Sequence, residues 1–338
     1  MLDYFYSQGG NFIDTAVNYQ NGQSEEWLGE WMESRGVRDE MIIATKFTGT
    51  QTAYLGDKVI QSNYGGNSTK NIHTSFERSL KQLKTSYIDL YYVHMWDFTT
   101  SVPELMTALN DLVTSRKVLY LGISNTPAWL VVKCNMYARQ HGLRPFTVYQ
   151  GRWSAADRDF EREIVPMCLD EGMALAPWGA LGGGFFKTAA QREAGGVGRT
   201  LTAGKSGKEE QVSEVLEEIS EKKGTLITSV ALAYVMHKVP YVFPIVGGRK
   251  VEHLKGNIEA LALRLEEEDV KRIDEAYGFE MGYPHGFVQP ANTMVLGPED
   301  NIFNARHGTF DYVVKPGPIP PHEGPVDKPF KNNQAPPV

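Results

Sequence analysis

The chain alternates short apolar runs with longer segments of helical period, and this alternation constrains its fold more than any other feature. The short runs are rich in β-branched and aromatic residues, as buried strands are. Repeated β-α units of this kind form an α/β fold with a parallel sheet. Strands are predicted over residues 11–16, 41–47, 88–94, 120–124, 147–152, 174–178 and 242–246. Helices are predicted over residues 25–34, 74–85, 103–114, 128–141, 161–171, 209–222, 228–237, 251–257 and 266–276.

Seven strands in this order predict a (β/α)8 TIM barrel, which normally closes with eight strands. The missing one is the first strand, because the chain opens with a helical segment that ends at Gly9-Gly10 and runs directly into the strand 11–16. Either the sequence is a truncated version of a longer protein, or the protein is genuinely shortened. We expect an N-terminally truncated barrel over residues 1–282 and a Pro-rich C-terminal extension over 283–338, which holds 11 of the 18 prolines.

The composition favours a globular protein that binds small molecules. Hydrophobic residues make up 41% and charged residues 22% of the chain, which is typical of folded domains. A net charge of -7 argues against nucleic-acid or acidic-membrane surfaces, which need a basic excess. No signal peptide or membrane span is visible. Cys134 and Cys168 lack metal-binding spacing and predict buried thiols in a reducing compartment. A cytoplasmic monomer or weak homo-oligomer without a bound metal is expected.

Polar residues stand where three predicted strands end, and barrel active sites lie at the C-terminal ends of strands. Asp14, Lys46 and His94 stand at or near the ends of the first three predicted strands, and Tyr19 follows in the first loop. A lysine in an otherwise apolar strand needs a charged partner, and Asp14 is the natural one. The ammonium group would lower the pKa of a nearby phenol and make Tyr19 a proton donor near neutral pH. His94 would then hold a substrate oxygen.

Each of these residues also has a structural explanation when it is taken alone. Asp14 and Lys46 would form an ion pair in many proteins, Tyr19 would be a loop aromatic, and His94 a core histidine. Their occurrence together at consecutive strand ends favours the catalytic interpretation.

The segments that carry these four side chains resemble the Asp-Tyr-Lys-His tetrad of the aldo-keto reductases. The matching runs are FIDTA over 12–16, IATK over 43–46 and DLYYVH over 89–94, and the resemblance continues through GISN over 122–125, YQ over 149–150, APWG over 176–179 and PIVGGR over 244–249. It therefore covers about residues 1–278. The tail, including PHGF over 284–287, resembles the fungal aryl-alcohol dehydrogenase and norsolorinic acid reductase branch, which suggests secondary metabolism.

The resemblance implies NADPH-dependent reduction of an aldehyde or ketone, with an aryl group favoured, to the alcohol. Tyr19 would protonate the carbonyl oxygen while hydride passes from NADPH to the carbon. Lys46 and Asp14 would tune Tyr19, and His94 would orient the substrate. Tyr19, His94 and Trp96 would contact the substrate.

The resemblance also assigns the residues that would bind the cofactor. Asp14, Ser124, Asn125 and Gln150 would surround the nicotinamide, and Trp178 would stack on its ring unless it is a core tryptophan. The segment that follows would fold over the cofactor through Gly179, Ala180, Leu181, Gly183 and Lys187. Its glycine-rich part over 182–207, which includes Arg192, is either such a lid or a solvated loop.

A second cofactor segment follows the last predicted strand. Gly247, Gly248, Arg249 and Lys250 open a helix, whose backbone N–H groups suit a phosphate and whose cations suit the 2′-phosphate of NADPH rather than NADH. Farther along, the resemblance implies that His253 and Asn257 contact the adenine. His253 replaces the usual Gln, and Gly256 stands where an acidic residue is common, so the sequence departs from the family pattern there.

Two other functions fit parts of the sequence. A non-catalytic NADPH-binding regulator, like the channel-associated β subunits of the same family, or an inactive truncated reductase would keep the tetrad. A glycosidase would need a second carboxylate beside Asp14 at a strand end, and the sequence offers none. An apolar pocket or ordinary core packing would explain the aromatic residues Tyr4, Phe47, Trp96, Phe98 and Trp153.

Overall fold

Six parallel strands form one curled sheet at the centre of the protein. The computed structural model describes residues 1–194 and 207–323. Within them, each strand pairs with the next one along the chain, so the sheet order is the chain order. The strands are β1 Phe12–Asp14, β2 Ile42–Phe47, β3 Ile88–Val93, β4 Val118–Ser124, β5 Phe146–Arg152 and β6 Ala174–Trp178.

The seventh predicted strand, over 242–246, is not a regular strand. It forms two isolated parallel bridges with β6, from Val242 to Leu175 and from Ile245 to Trp178. The N–H groups of Phe243 and Ile245 donate to the carbonyls of Leu175 and Pro177, but Pro177 has no N–H group to donate in return, so the ladder is incomplete. The strands of the described residues thus make a six-stranded half-barrel. The closed barrel and the missing first strand remain predictions.

Helices follow the strands, as the alternation of the sequence predicts. The longer ones are α2 Gln23–Arg35, α3 Thr69–Gln82, α4 Val102–Thr114, α5 Ala128–Gln140, α6 Phe160–Glu171, α8 Lys208–Lys223, α9 Ile227–Lys238, α10 Val251–Glu259 and α11 Glu267–Asp274, and the short ones are α1 Leu2–Ser7, α7 Ala189–Glu193 and α12 His285–Val288. None of them is long and apolar enough to cross a membrane in the part of the chain described. α3 begins five residues before the predicted start, because Ser68 caps it by accepting a hydrogen bond from the N–H of Asn71.

The predicted glycine stop of the first helix is present. The N–H groups of Gly9 and Gly10 donate to the carbonyls of Tyr6 and Phe5, both at 3.0 Å. Gly9 has a φ of +83°, which glycine adopts at little cost. The chain then enters β1 directly, and β1 pairs with β2.

The two faces of the sheet have different surroundings, because side chains alternate along a strand. On the outer face Ile43, Phe47 and Tyr91 join the main hydrophobic core with the helices. On the inner face Ala44 packs with Leu90 and Tyr92 in a separate small cluster. Lys46, two residues after Ala44, therefore lies on the inner face of β2.

Both cysteines are free and buried, as predicted. Burial raises the pKa of Cys134 to about 12, and it raises that of Cys168 as well. Such thiols are protonated at neutral pH and chemically inert.

The described part of the Pro-rich tail lies against the body of the protein. Met294 and Leu296 pack on the main core. The His285 imidazole lies 2.9 Å from Glu163 on α6, and the N–H of His322 donates to the carbonyl of Leu261 at 2.8 Å. These contacts hold the described part of the tail against the sheet and helices. The boundary at residue 282 remains a prediction.

A buried carboxyl group links α2 to the outer face of β2. Glu25 is 0% exposed and accepts a hydrogen bond of 2.5 Å from the Thr45 hydroxyl. Burial raises the pKa of Glu25 from 4.5 to about 7, against the opposing effect of the Thr45 hydrogen bond. Because the pKa is higher in the folded state than in the unfolded state, Glu25 stabilises the fold below about pH 4.5. This contribution is lost as the pH rises through about 7.

We predict that Glu25→Gln weakens the pH dependence of folding stability. The free energy of unfolding of the wild type should include a component that falls between about pH 5 and about pH 8, and the glutamine variant should lack that component. Urea denaturation at both pH values measures it. Glu26→Gln, at the neighbouring exposed position, is the matched control and should behave as the wild type. An unchanged pH slope in the Glu25 variant would contradict the prediction.

Candidate active site

The first two strands bring a buried ion pair to the carboxyl end of the sheet. Asp14 is the last residue of β1, and Lys46 lies near the end of β2. The Lys46 Nζ lies 2.5 Å from the Asp14 Oδ2 and 2.7 Å from the Thr15 carbonyl oxygen, to which it donates. The Lys46 side chain is 0% exposed and that of Asp14 is 8% exposed. The partner expected from the sequence is therefore the one that the fold provides.

The burial of Lys46 sets the electrostatics of this region. Burial lowers the pKa of the Lys46 ammonium group, and the nearby charge and hydrogen bond of Asp14 oppose that effect. The ammonium nitrogen lies 5.3 Å from the centre of the Tyr19 ring and 5.6 Å from that of Tyr92. These distances are within the range of cation–π attraction.

Tyr19 and His94 are neighbours at this edge of the sheet. Tyr19 opens a short 3-10 turn after β1, and His94 directly follows β3. Their ring centres are 5.8 Å apart, with the planes 73° apart. Burial, and secondly the charge of Lys46, lower the pKa of His94 to about 4. The imidazole is thus neutral near pH 7, and its buried Nδ1 has no hydrogen-bond partner within the described residues.

The ends of β4 and β5 hold the tetrad in position. The Gln150 amide donates to the second carboxylate oxygen of Asp14 at 2.9 Å. The Asn125 amide donates to the His94 carbonyl at 3.0 Å and to the Ser124 hydroxyl at 2.9 Å. The fold therefore brings Ser124, Asn125 and Gln150 beside the tetrad. Sequence reasoning missed the contacts with Asp14 and with His94, because no spacing indicates a bond between residues so far apart.

The segment after β6 begins at the same edge. Trp178 is half-buried, and its backbone carbonyl accepts a hydrogen bond from the backbone N–H of Trp153 at 3.2 Å. Gly179 and Gly183 turn the chain with φ values of +78° and +60°. Ala180 is buried, whereas Leu181 is half-buried.

The rest of the predicted lid is described only in part. The Arg192 guanidinium donates to the Lys187 carbonyl at 2.7 Å and lies 3.8 Å from Glu210. Arg192 is therefore held by the protein's own groups. Gly195, Gly196 and Gly198 lie outside the described residues.

The last candidate segment precedes α10. Gly247, Gly248, Arg249 and Lys250 are exposed. Within residues 1–194 and 207–323, neither Arg249 nor Lys250 forms an ion pair. The start of α10 thus presents two cations and the N–H groups of its first turn to solvent.

Farther along α10, His253 is exposed and Asn257 is buried. The backbone of Gly256 lies so close to α9 that a Cβ there would meet the Leu226 side chain at 2.8 Å.

Two of the aromatic residues considered for a substrate pocket belong to the core. Phe47 stacks on Tyr91 with ring centres 5.2 Å apart, on the outer face of the sheet. Trp153 is 0% exposed, and its indole N–H donates to Glu161 at 3.1 Å. The pocket interpretation is therefore wrong for both, because their rings pack between sheet and helices.

Tyr4 lies under the Lys255 ammonium group, 5.6 Å from ring centre to nitrogen. Trp96 is half-buried.

Comparisons with known proteins show which family the chain resembles over its length. The profile of the aldo/keto reductase family matches residues 1–278. Norsolorinic acid reductase B of Dothistroma septosporum is 54% identical over 330 residues, which cover 95% of this chain and 84% of the relative. Norsolorinic acid reductase of Aspergillus flavus is 57% identical over 328 residues, covering 96% and 84%. An aryl-alcohol dehydrogenase of Pestalotiopsis microspora is 51% identical over 329 residues, covering 97% and 85%. The chain therefore belongs to the aldo/keto reductase family of oxidoreductases.

Proposed function

We propose that the protein reduces an aldehyde or ketone, in particular an aryl carbonyl, to the alcohol with NADPH. The observation that carries the proposal is the fully buried Lys46 ammonium group, paired with Asp14 at 2.5 Å and 5.3 Å from the centre of the Tyr19 ring. The names of the relatives, norsolorinic acid reductase and aryl-alcohol dehydrogenase, support an aryl substrate.

Tyr19 is proposed as the proton donor. A nearby ammonium group favours the phenolate, so it lowers the free energy that Tyr19 needs to release its proton. Asp14 keeps Lys46 in position, and Gln150 holds Asp14 through its second oxygen. The neutral His94 imidazole donates a hydrogen bond to the carbonyl oxygen, and Trp96 contacts the rest of the substrate.

The chain also has residues that suit the cofactor. The exposed cations Arg249 and Lys250, which have no ion-pair partner within the described residues, suit a 2′-phosphate together with the N–H groups at the start of α10. When bound, NADPH supplies hydride to the carbonyl carbon. The other residues proposed to hold it are Asp14, Ser124, Asn125, Gln150, Trp178, Gly179, Ala180, Leu181, Gly183, Lys187, Gly247, Gly248, His253 and Asn257.

The half-barrel is proposed to be part of a (β/α)8 barrel that lacks its first strand in this chain. We also propose a cytoplasmic enzyme of secondary metabolism that acts as a monomer or weak homo-oligomer. These proposals rest on the resemblance to the family and its fungal branch.

The variant Tyr19→Phe is expected to lower carbonyl reduction by roughly 10²- to 10⁴-fold, because it removes the transferred proton. NADPH binding should be nearly unchanged. Oxidation of NADPH, followed by its absorbance against a panel of aryl aldehydes, measures the first effect, and fluorescence titration measures the second.

Tyr54→Phe, at an exposed tyrosine, is the matched control for Tyr19→Phe and should reduce the panel as the wild type does. Equal turnover by the Tyr19 variant would remove that residue from the mechanism. A wild type that binds NADPH but reduces no carbonyl would favour the non-catalytic regulator instead.

We expect no inflection from His94 in the pH profile of kcat/KM between about pH 5.5 and about pH 7.5. The pKa of His94 is lowered from 6.5 to about 4, so the imidazole is already neutral over this range. By the same linkage, its contribution to folding stability is present above about pH 6.5 and is lost as the pH falls toward 4. The profile of His94→Gln is the comparison. An inflection near pH 6.5 that only the wild type shows would contradict the expectation.

The variant Arg249→Ala is predicted to weaken NADPH binding by about 10- to 100-fold, because a charge-assisted hydrogen bond to phosphate is lost. NADH, which lacks the 2′-phosphate, should be affected much less. Fluorescence titration with both cofactors measures the difference. Arg264→Ala, whose side chain is 78% exposed, serves as control. Equal losses for the two cofactors would overturn the phosphate assignment.

A further inference from the structure

A polar network that the proposed chemistry does not use joins the loops following β2 and β3. The Thr48 hydroxyl donates to the Asn67 side-chain oxygen at 2.7 Å, and the Asn67 amide donates to the Met95 carbonyl at 3.1 Å. Asn67 is 0% exposed. It therefore connects a residue two positions after Lys46 with the residue directly after His94.

The Asp97 carboxylate is the centre of this network. It accepts hydrogen bonds from the N–H groups of Asn67, Thr99 and Thr100 at 2.7, 2.9 and 3.0 Å, and from the Thr100 hydroxyl at 2.9 Å. Burial opposes ionisation, but the backbone N–H groups outweigh it and lower the pKa of Asp97 to about 2. The group is thus an anion at neutral pH, and an asparagine amide nitrogen cannot accept in its place.

The backbone around Asp97 is held in conformations that L-residues rarely adopt. Thr48 and Phe98 have φ values of +84° and +58°. Gly66 has a φ of +81°, and a Cβ there would lie 3.0 Å from the Asp97 Oδ2. Such conformations cost free energy and persist only where the surroundings hold them. The hydrogen bonds to Asp97 and Asn67 are among the contacts that hold these loops, together with the bond from the Gly66 N–H to the Thr48 carbonyl at 2.9 Å.

The loop that Asp97 fixes carries apolar side chains immediately after His94. Met95 is 42% exposed and Phe98 is 73% exposed, and the half-buried Trp96 lies between them in sequence. Trp96 packs partly on the main core, whereas Met95 and Phe98 expose much of their apolar surface on a fixed turn next to His94. These side chains are therefore available for contact with an apolar ligand.

We infer that Asp97 is a positioning residue for substrate selection, which holds the Met95–Phe98 loop so that the aryl group of a carbonyl substrate packs on it. This inference rests on the proposed function. Asp97 acts through the loop and does not contact the reacting atoms. Loss of its charge should therefore weaken binding of aryl substrates and leave the proton-transfer residues in place, since Asn125 holds His94 separately.

The test compares two substrates on the full chain, an aryl aldehyde such as benzaldehyde and a small aliphatic aldehyde such as propanal. For Asp97→Asn, the KM for the aryl aldehyde should rise by roughly 5- to 30-fold, a factor typical of one lost interaction. We expect kcat to be nearly unchanged for both substrates, and the KM for propanal and the affinity for NADPH to stay the same. If Asp97 had a purely structural role, the variant would instead show a lower kcat for both substrates alike, or a lower affinity for NADPH.

Thr48→Val gives a milder variant, because it removes only the bond to Asn67 and preserves the side-chain shape. It should also raise the KM for the aryl aldehyde, by a smaller factor. If circular dichroism shows that Asp97→Asn is unfolded, the KM values of Thr48→Val test the inference in its place. Asp111→Asn, on the exposed face of α4, is the matched control and should leave both substrates unaffected.

The outcomes separate the inference from the proposed function. An active wild type whose folded variants keep the aryl KM, or lose both substrates equally, overturns the inference alone. A wild type that reduces neither aldehyde overturns the proposed function and the inference with it.

Discussion

An ammonium group that lies fully buried at the end of a strand needs a negative partner, and this need organises the carboxyl edge of the sheet. Asp14 accepts hydrogen bonds from Lys46 and from Gln150, and so it connects β1, β2 and β5. Removing one member of a buried pair commonly costs about 3–5 kcal/mol, because an uncompensated charge is left behind. The other candidate residues are arranged around this pair, and Tyr19 lies over its cation.

Burial also shifts the pKa values of three groups in and near this site, Lys46, Glu25 and His94. Lys46, on the inner face of β2, is surrounded by Tyr19, Tyr92 and Asp14. Glu25, on the outer face, has its pKa raised by burial, whereas His94 has its pKa lowered by burial and by the charge of Lys46. Desolvation disfavours each charged form, and only Lys46 is given a full counter-charge. An uncharged imidazole beside a cation suits hydrogen bonding to a carbonyl oxygen.

Sequence reasoning succeeded where the signal is local. The six strands β1–β6, the glycine end of α1 and the partner of Lys46 follow from apolar runs, from a Gly-Gly pair and from a charge in an apolar segment. It failed where the structure of a segment depends on residues that are distant in sequence but close in space. Residues 242–246 look like a strand, but Pro177 of β6 has no N–H group to donate to them, and the ladder is interrupted there. Phe47 and Trp153 look like pocket residues, but their rings face the helices. Periodicity does not distinguish the two faces of a sheet that is covered on the outside and filled on the inside.

By itself the sequence determined the order of the β-α units, the position of four polar residues near strand ends and the membership of the family. These follow from residue type and spacing along one segment at a time. The tertiary structure alone decided that Gln150 holds Asp14, that Asn125 holds His94 and that Asp97 ties two loops together. Each of these hydrogen bonds joins residues from different β-α units. The curl of the sheet sets which loops meet, and no pattern within a single segment encodes that distance.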